Sequence, residues 1–303
     1  MQFAKLQGAG NDYIFVDGIS TDRNWADLSR QMSDRHFGVG SDGLIVAARS
    51  KTADVRMRMW NADGSESEMC GNGIRCLAKF VLERGLVRAP NGVLSVETGA
   101  GVINVTPSWE DGRITGARVD MGAPVLRAAD VPVDPAALGP SDHAKLDVGI
   151  VEALGLAPDG LVFDAPLTVD GTTLVGSAVS MGNPHFLALL DEPVAGVALE
   201  RLGPLVERHA AFPHRVNLTV ANVTSRSALD TRTWERGSGM TMACGTGVCA
   251  TVVAARLHGL VDDVVHVRVP GGELTITWPG HGPVIMEGDA VEVFSGEWQG
   301  HSP

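Results

Sequence analysis

The sequence predicts an α+β protein built twice over, each copy a mostly antiparallel sheet wrapped around one central helix. Three observations carry that expectation. Arg58 and Arg232, Trp60 and Trp234, Cys70 and Cys244, Gly73 and Gly247, and Gly85 and Gly259 are each 174 residues apart. Short β-rich runs follow one another along the chain, punctuated by 37 Gly and 16 Pro. After each Cys-Gly-x-Gly comes a single apolar run of helical spacing that stops at a glycine. Solenoid repeats have periods of about 20–50 residues, so a spacing of 174 marks a duplicated domain instead.

Taken in order, the β-rich runs lie at residues 13–17, 44–47, 55–60, 93–97, 101–106, 116–121, 174–180, 186–190, 216–222, 228–234, 264–269 and 273–278. The pairs 93–97/101–106 and 264–269/273–278 are joined by Gly-containing turns and read as antiparallel hairpins, one after each helix. Within the helices, Ile74, Leu77 and Val81, and Val248, Val252 and Ala255, form apolar stripes closed by Gly85 and Gly259. Phe80, Leu82, Val253 and Ala254 add apolar surface beyond one face, so each helix should be enclosed by its own sheet. The stretch 124–160, rich in Ala, Pro, Asp and Gly, reads as an irregular or loosely helical insertion between the lobes. Gly10-Asn11-Asp12-Tyr13 and Gly182-Asn183-Pro184-His185, 172 apart, extend the duplication with two residues of drift.

Composition narrows the function. A chain of 303 residues suits two lobes of about 150 each. Its 24 basic and 36 acidic side chains give a net charge of −12, which argues against a nucleic-acid partner, since phosphate tracking needs clustered Lys and Arg. The chain shows no apolar run of membrane-spanning length, and its N-terminus lacks the apolar core of a signal peptide. Four cysteines are too few for a disulfide scaffold, which points to a reducing, cytoplasmic setting. Cys70-x5-Cys76 and Cys244-x4-Cys249 do not have zinc-site spacing, so no metal is expected.

The chemistry lies in the two repeated thiols. A helix N-terminus lowers a thiol's pKa from about 8.5 towards neutrality. The amides after each cysteine, uncovered by side chains at Gly71, Gly73, Gly245 and Gly247, can grip an anion. Two such helix ends facing across a pseudo-two-fold cleft would hold a carboxylate while a sulfur flanks each face of its α-carbon. One thiolate would remove the α-proton, the opposite thiol would return one, and the same amides would stabilise the enolate-like dianion between. A lone buried cysteine normally packs as a small hydrophobe. That reading is kept for Cys76 and Cys249, inside the apolar stripes, and reversed for Cys70 and Cys244.

These residues resemble the diaminopimelate epimerase family. The resemblance runs over nearly the whole chain: Gly8-Ala9-Gly10-Asn11-Asp12, Asp34-Arg35-His36-Phe37-Gly38-Val39-Gly40, Asn61-Ala62-Asp63-Gly64-Ser65-Glu66, Glu68-Met69-Cys70-Gly71-Asn72-Gly73-Ile74-Arg75-Cys76, Gly182-Asn183-Pro184-His185, Arg215-Val216-Asn217, Trp234-Glu235-Arg236-Gly237 and Ala243-Cys244-Gly245-Thr246-Gly247. It implies pseudo-symmetric lobes with curved sheets, the active site in the cleft between them, and a last strand that returns to the first lobe. The lobes would then be 1–117 with 288–303, carrying Cys70, and 118–287, carrying Cys244. It implies an isomerase of lysine and peptidoglycan precursor synthesis that interconverts LL- and meso-2,6-diaminopimelate without a cofactor. Its partner is a small amino-acid substrate, and a homodimer is compatible with it. Cys70 and Cys244 would be acid and base, with His185 and Glu235 tuning them. Gly71, Asn72, Gly245 and Thr246 would hold the reacting carboxylate, and Asn11 and Glu235 the ammonium group. Asn61, Asn183, Asn217 and Arg236 would meet the substrate's second amino-acid head.

Two positions depart from the family pattern. Met240 stands where a Glu is usual, and Gly43 where many relatives carry Gln, although an Asp-Gly form is also familiar. The alternatives are a racemase for another amino acid on the same fold, such as histidine or proline, a thiol redox protein, and a ligand-binding relic. A phenazine-biosynthesis isomerase would share the fold but lack the thiol pair.

Overall fold

The computed structural model describes residues 1–67 and 69–300. Glu68 of the first cysteine motif and the last three positions of the return segment lie outside them. The chain divides into two compact units, Met1–Asp120 with the chain from Glu287 onward, and Met121–Met286.

The first unit opens with β1 (Gln2–Gly8), β2 (Asn11–Asp17), α1 (Trp25–Ser33), β3 (Gly43–Ala48), β4 (Val55–Asn61) and β5 (Glu66–Ser67). It continues with α2 (Gly71–Glu83), β6 (Leu94–Thr98), β7 (Gly101–Glu110) and β8 (Arg113–Asp120). The second unit runs through α3 (Val148–Ala153), β9 (Ala165–Val169), β10 (Thr172–Ser180), β11 (Pro184–Leu190) and α4 (Leu199–Glu207). It then forms β12 (Asn217–Ser225), β13 (Ala228–Glu235), β14 (Gly239–Met240), α5 (Gly245–Leu257), β15 (Val264–Val269) and β16 (Gly272–Thr277). After β17 (Ile285–Asp289), β18 (Val291–Glu297) returns to the first unit.

The strands of the two units repeat one hydrogen-bonding plan. In the first, β1/β2 is antiparallel, β2/β3 parallel, β3/β4 antiparallel, β4/β6 parallel and β6/β7 antiparallel. In the second, β10/β11, β11/β12, β12/β13, β13/β15 and β15/β16 follow the same sequence. An antiparallel strand completes the open edge of each, β18 on β1 and β9 on β10.

In each unit the strands enclose a helix. Every residue of α2 from Gly71 to Val81 is buried, and the helix packs against β1, β2, β3, β7 and β8. α5 is buried over most of its length and packs against β10, β11, β12 and β16. α5 is apolar nearly all round, as a core helix must be, while α2 buries Asn72, Arg75 and Lys79 with hydrogen-bond partners. Both end where expected, with Gly85 at φ +62° and Gly259 at φ +67°, a conformation that costs glycine nothing.

The sequence reading did not propose α1 and α4, which are themselves 174 residues apart. α1 is capped by Asn24, whose side chain accepts from Asp27 N, and buries Trp25, Ser29 and Met32 against β3 and β4. α4 buries Leu199, Leu202 and Val206 against β12 and β13 despite Pro204. The stretch 124–160 is irregular with short helical turns, as expected, and belongs to the second unit. Leu126, Val131, Val133 and Val151 are buried, and the bridges Val125–Ser180 and Arg127–Leu161 stitch it to the rest. Its apolar residues are thinly spaced among Pro, Asp and Gly, which hides them from a periodicity test. Among the described residues, no helix is long and apolar enough to cross a membrane.

Candidate active site

In the first unit Cys70 is the N-cap of α2, with extended backbone (φ −135°, ψ 119°). Its Sγ fills the role usually taken by a Ser, Thr or Asp oxygen, accepting from Gly73 N at 3.4 Å. The Tyr13 hydroxyl, reaching over from β2, also donates to it at 3.4 Å. Gly73 is required by space: a Cβ there would lie 2.6 Å from Ile45 Cδ1 and 3.3 Å from Met57 Cε. The helix start is thus pressed against β3 and β4. Asn72 Nδ2 donates to Asn11 Oδ1 at 2.6 Å, and Asn11 Nδ2 reaches Asp42 Oδ2 at 3.5 Å. These bonds join two of the predicted site residues directly.

Two neighbours on α2 are structural. Arg75 is fully buried and donates to the carbonyls of Gly71 and Asp289, tying the helix start to the returning chain. Cys76 is buried, and desolvation pushes its thiol up to about 12, which leaves it inert. Asn61 sits exposed at the end of β4, its Nδ2 donating to Ser65 Oγ at 3.0 Å. Asp63 accepts from both Ser65 N and Ser65 Oγ, and these bonds lower its carboxyl; with Gly64 at φ +83° this is turn chemistry. Gly43 also has a local reason: a Cβ there would stand 2.2 Å from the Trp60 carbonyl oxygen.

In the second unit Cys244 is the N-cap of α5 and is buried. Its Sγ lies 3.6 Å from Thr246 Oγ1. His185, fully buried on β11, has Nε2 within 3.1 Å of both Thr246 Oγ1 and Asn183 Oδ1. A chain of contacts therefore runs from Asn183 through His185 and Thr246 to the sulfur. Burial, with a smaller push from the Arg236 charge, drives His185 down to about 3, so the imidazole is neutral. Cys244 moves the other way. Burial first, and then the Glu235 carboxylate, push its thiol well up against the opposing Thr246 hydroxyl and Gly247 amide. The expectation that a helix start alone lowers both thiols therefore fails at Cys244, because desolvation of a buried anion outweighs the dipole.

The turn after β13 is braced from several sides. Asn217 Oδ1 accepts from Arg236 N at 2.8 Å while its Nδ2 donates to Pro184 O at 2.9 Å. Arg236 donates to His214 O at 2.9 Å. Glu235 accepts from the Thr241 hydroxyl at 2.6 Å. Buried Glu207 of α4 accepts from Trp234 Nε1 at 2.8 Å and Gly237 N at 3.2 Å. Met240 pairs with Trp234 across β13/β14 and packs on the apolar core, so the departure from Glu is absorbed as packing. Gly247 is again crowded, a Cβ falling 3.1 Å from Thr219 Oγ1 and 3.2 Å from Cys244 Sγ.

Sequence reasoning passed over Tyr13, Arg75, Glu207 and Thr241 as members of these sites. Tyr13 had a usable signal: in the two Gly-Asn quartets it holds the place that His185 holds in the other copy. Glu207 and the Asp289 contact of Arg75 depend on helix docking, whereas Thr241 meets Glu235 across the short β13–β14 turn.

This duplicated α+β fold has counterparts among solved structures. A phenazine biosynthesis (PhzF) family protein of Bacillus anthracis superposes with a TM-score of 0.66 at 16% identity, covering 97% of each chain. A hydroxyproline epimerase of Agrobacterium vitis, solved with bound trans-4-hydroxy-L-proline, gives 0.63 at 17% identity, covering 98% of this chain and 90% of that one. At such identities the likeness establishes the fold shared by proline racemases and PhzF proteins. Sequence goes further. The diaminopimelate epimerase family model matches residues 3–127 and 177–293. The diaminopimelate epimerase of Agathobacter rectalis is 45% identical over 301 residues, 98% of this chain and 99% of that relative. The chain belongs to the diaminopimelate epimerase family.

Proposed function

We infer that this protein is an isomerase interconverting LL- and meso-2,6-diaminopimelate by proton transfer at one α-carbon. The observation that carries the reading is full-length likeness at 45% identity in a chain that caps two enclosed helices with cysteine. In this reading Cys70 and Cys244 act as base and acid from opposite faces of one bound carbon, one sulfur from each unit. The units that divide at Asp120 and Glu287 are then the two lobes. The first-turn positions Gly71, Asn72, Gly245 and Thr246, where a helix has no internal acceptor for its amides, hold the α-carboxylate and its enolate-like successor. Asn11 and Glu235 receive the ammonium group.

The second amino-acid head falls to Asn61, Asn183 and Arg236. Asn217, whose amide is engaged at both ends, serves by fixing the Arg236 main chain. A substrate without that second head would leave these polar groups unpaired and be strongly rejected. His185, neutral and bonded to Thr246, orients the hydroxyl beside Cys244. Working thiols need a reducing compartment, and we place the enzyme in the cytoplasm.

The test is incubation with LL-diaminopimelate in deuterated water followed by chiral separation. The reading expects meso product carrying solvent deuterium at the inverted centre. Faster racemisation of histidine or proline, or absence of solvent label, would overturn it. A thiol redox protein would work with its cysteines oxidised, whereas the epimerase should be silent until a reductant restores both thiols.

A further inference from the structure

We propose that Tyr13 is a positioning residue for the Cys70 thiolate, its buried hydroxyl donating to the sulfur and, with the Gly73 amide, holding it ready as the base. The inference rests on the reading that Cys70 carries the substrate's α-proton.

Tyr13 is the only tyrosine in the chain and is 5% exposed. It is fixed on β2 between Leu6 of β1 and Gly43 of β3. A buried phenol requires a hydrogen-bond partner, and here that partner includes Cys70 Sγ at 3.4 Å. A phenol ionises near 10 and a free thiol near 8.5, so the sulfur loses its proton first and the hydroxyl stays a donor. A bond donated to the charged form favours that form.

The two copies of the motif have diverged at this point. Where the first places a phenol against the sulfur, the second places His185 against Thr246 and sets the Glu235 carboxylate beside Cys244. One environment favours the anion and the other retains the proton, as a two-base site needs before substrate arrives. Charged groups lie on the elements around this helix start. Arg75 donates to Gly71 O and Asp289 O, and Lys79 is held by Glu83 and the Ile114 carbonyl. The Asp289 carboxylate accepts from Ala9 N, and Asp12 pairs with Lys5 and Arg35.

The test measures iodoacetamide alkylation of Cys70 against pH, localised by peptide mass, in a Cys244→Ala background. Tyr13→Phe keeps the ring and removes only the donor. It should move the midpoint upward by roughly one unit, which is about tenfold slower alkylation at neutral pH. The Cys244 profile in a Cys70→Ala background should not move. In the enzyme with both thiols, Tyr13→Phe should shift the acid limb of kcat/KM upward, with activity recovered at higher pH. A lone tyrosine also allows a second probe that leaves the fold intact: biosynthetic incorporation of 3-fluorotyrosine labels this position alone. Its fluorine resonance should titrate with Cys70 and stop doing so in Cys70→Ala. An unmoved or lowered alkylation midpoint, or a fluorine signal indifferent to Cys70, would overturn the proposal. Epimerisation surviving in Cys70→Ala would instead overturn the functional reading and leave the alkylation result standing.

Discussion

Sulfur at a helix N-cap accepts hydrogen bonds poorly for that position, so a cysteine held there twice, at Cys70 and Cys244, points to chemistry rather than capping. Cys70→Ala and Cys244→Ala should each lower epimerisation below roughly a thousandth of the parent rate, because one proton carrier is missing. Cys76→Ala should keep turnover within about twofold while costing on the order of 1 kcal/mol of stability. Chiral analysis of product and denaturant unfolding separate these outcomes. His185 makes a pH prediction whose sign can be worked out. Its ordinary value is 6.5 and the folded chain resists protonation down to about 3, so between those limits the unfolded chain binds more protons. Stability from this residue is complete above pH 6.5 and is lost as pH falls towards 3, by up to about 1.4 kcal/mol per unit. His185→Gln should flatten the slope of unfolding free energy across that window; an unchanged slope would count against a buried neutral imidazole.

At the level of elements, the starts of α2 and α5 depend on glycines with no room to grow. Gly73→Ala would push a methyl to 2.6 Å from Ile45 Cδ1, and overpacking of this kind costs about 1–3 kcal/mol. Adding Ile45→Val removes the opposing carbon, so the double variant should recover much of the lost stability and turnover. If the single variant unfolds like the parent, the helix start is not the tight joint described above. Those two helices were legible in the sequence because each combines a glycine-flanked start, a broad apolar surface and a glycine stop. Most strands were legible for a similar reason, as alternating runs between turn residues. α1 and α4 were not, since each is a short helix with one narrow apolar stripe, and Pro204 argues locally against the second. The candidate site divides in the same way. Cys70, Cys244 and their glycines announce themselves by repetition. The Tyr13 contact to Cys70 and the Glu207 brace under Gly237 arise only when separate elements pack, and no local pattern encodes them.

Across the molecule, the first unit is assembled from both ends of the described chain and the second from one continuous stretch. β1 takes β18 on one side and β2 on the other. A chain stopped after Ala290 would leave β1 as an open edge. Amide hydrogen exchange should then show protection lost from β1 and the Trp25–Trp60 core of the first unit, with β11, β12 and α5 still protected. Equal loss in both units would mean that neither folds apart from the other. The Met1 amino group donates to Trp298 O at 2.8 Å, and Trp298 N donates back to Met1 O at 2.8 Å. β1 must therefore wait for a neighbour synthesised nearly three hundred residues later, so on the ribosome the continuous second unit can finish folding before the first.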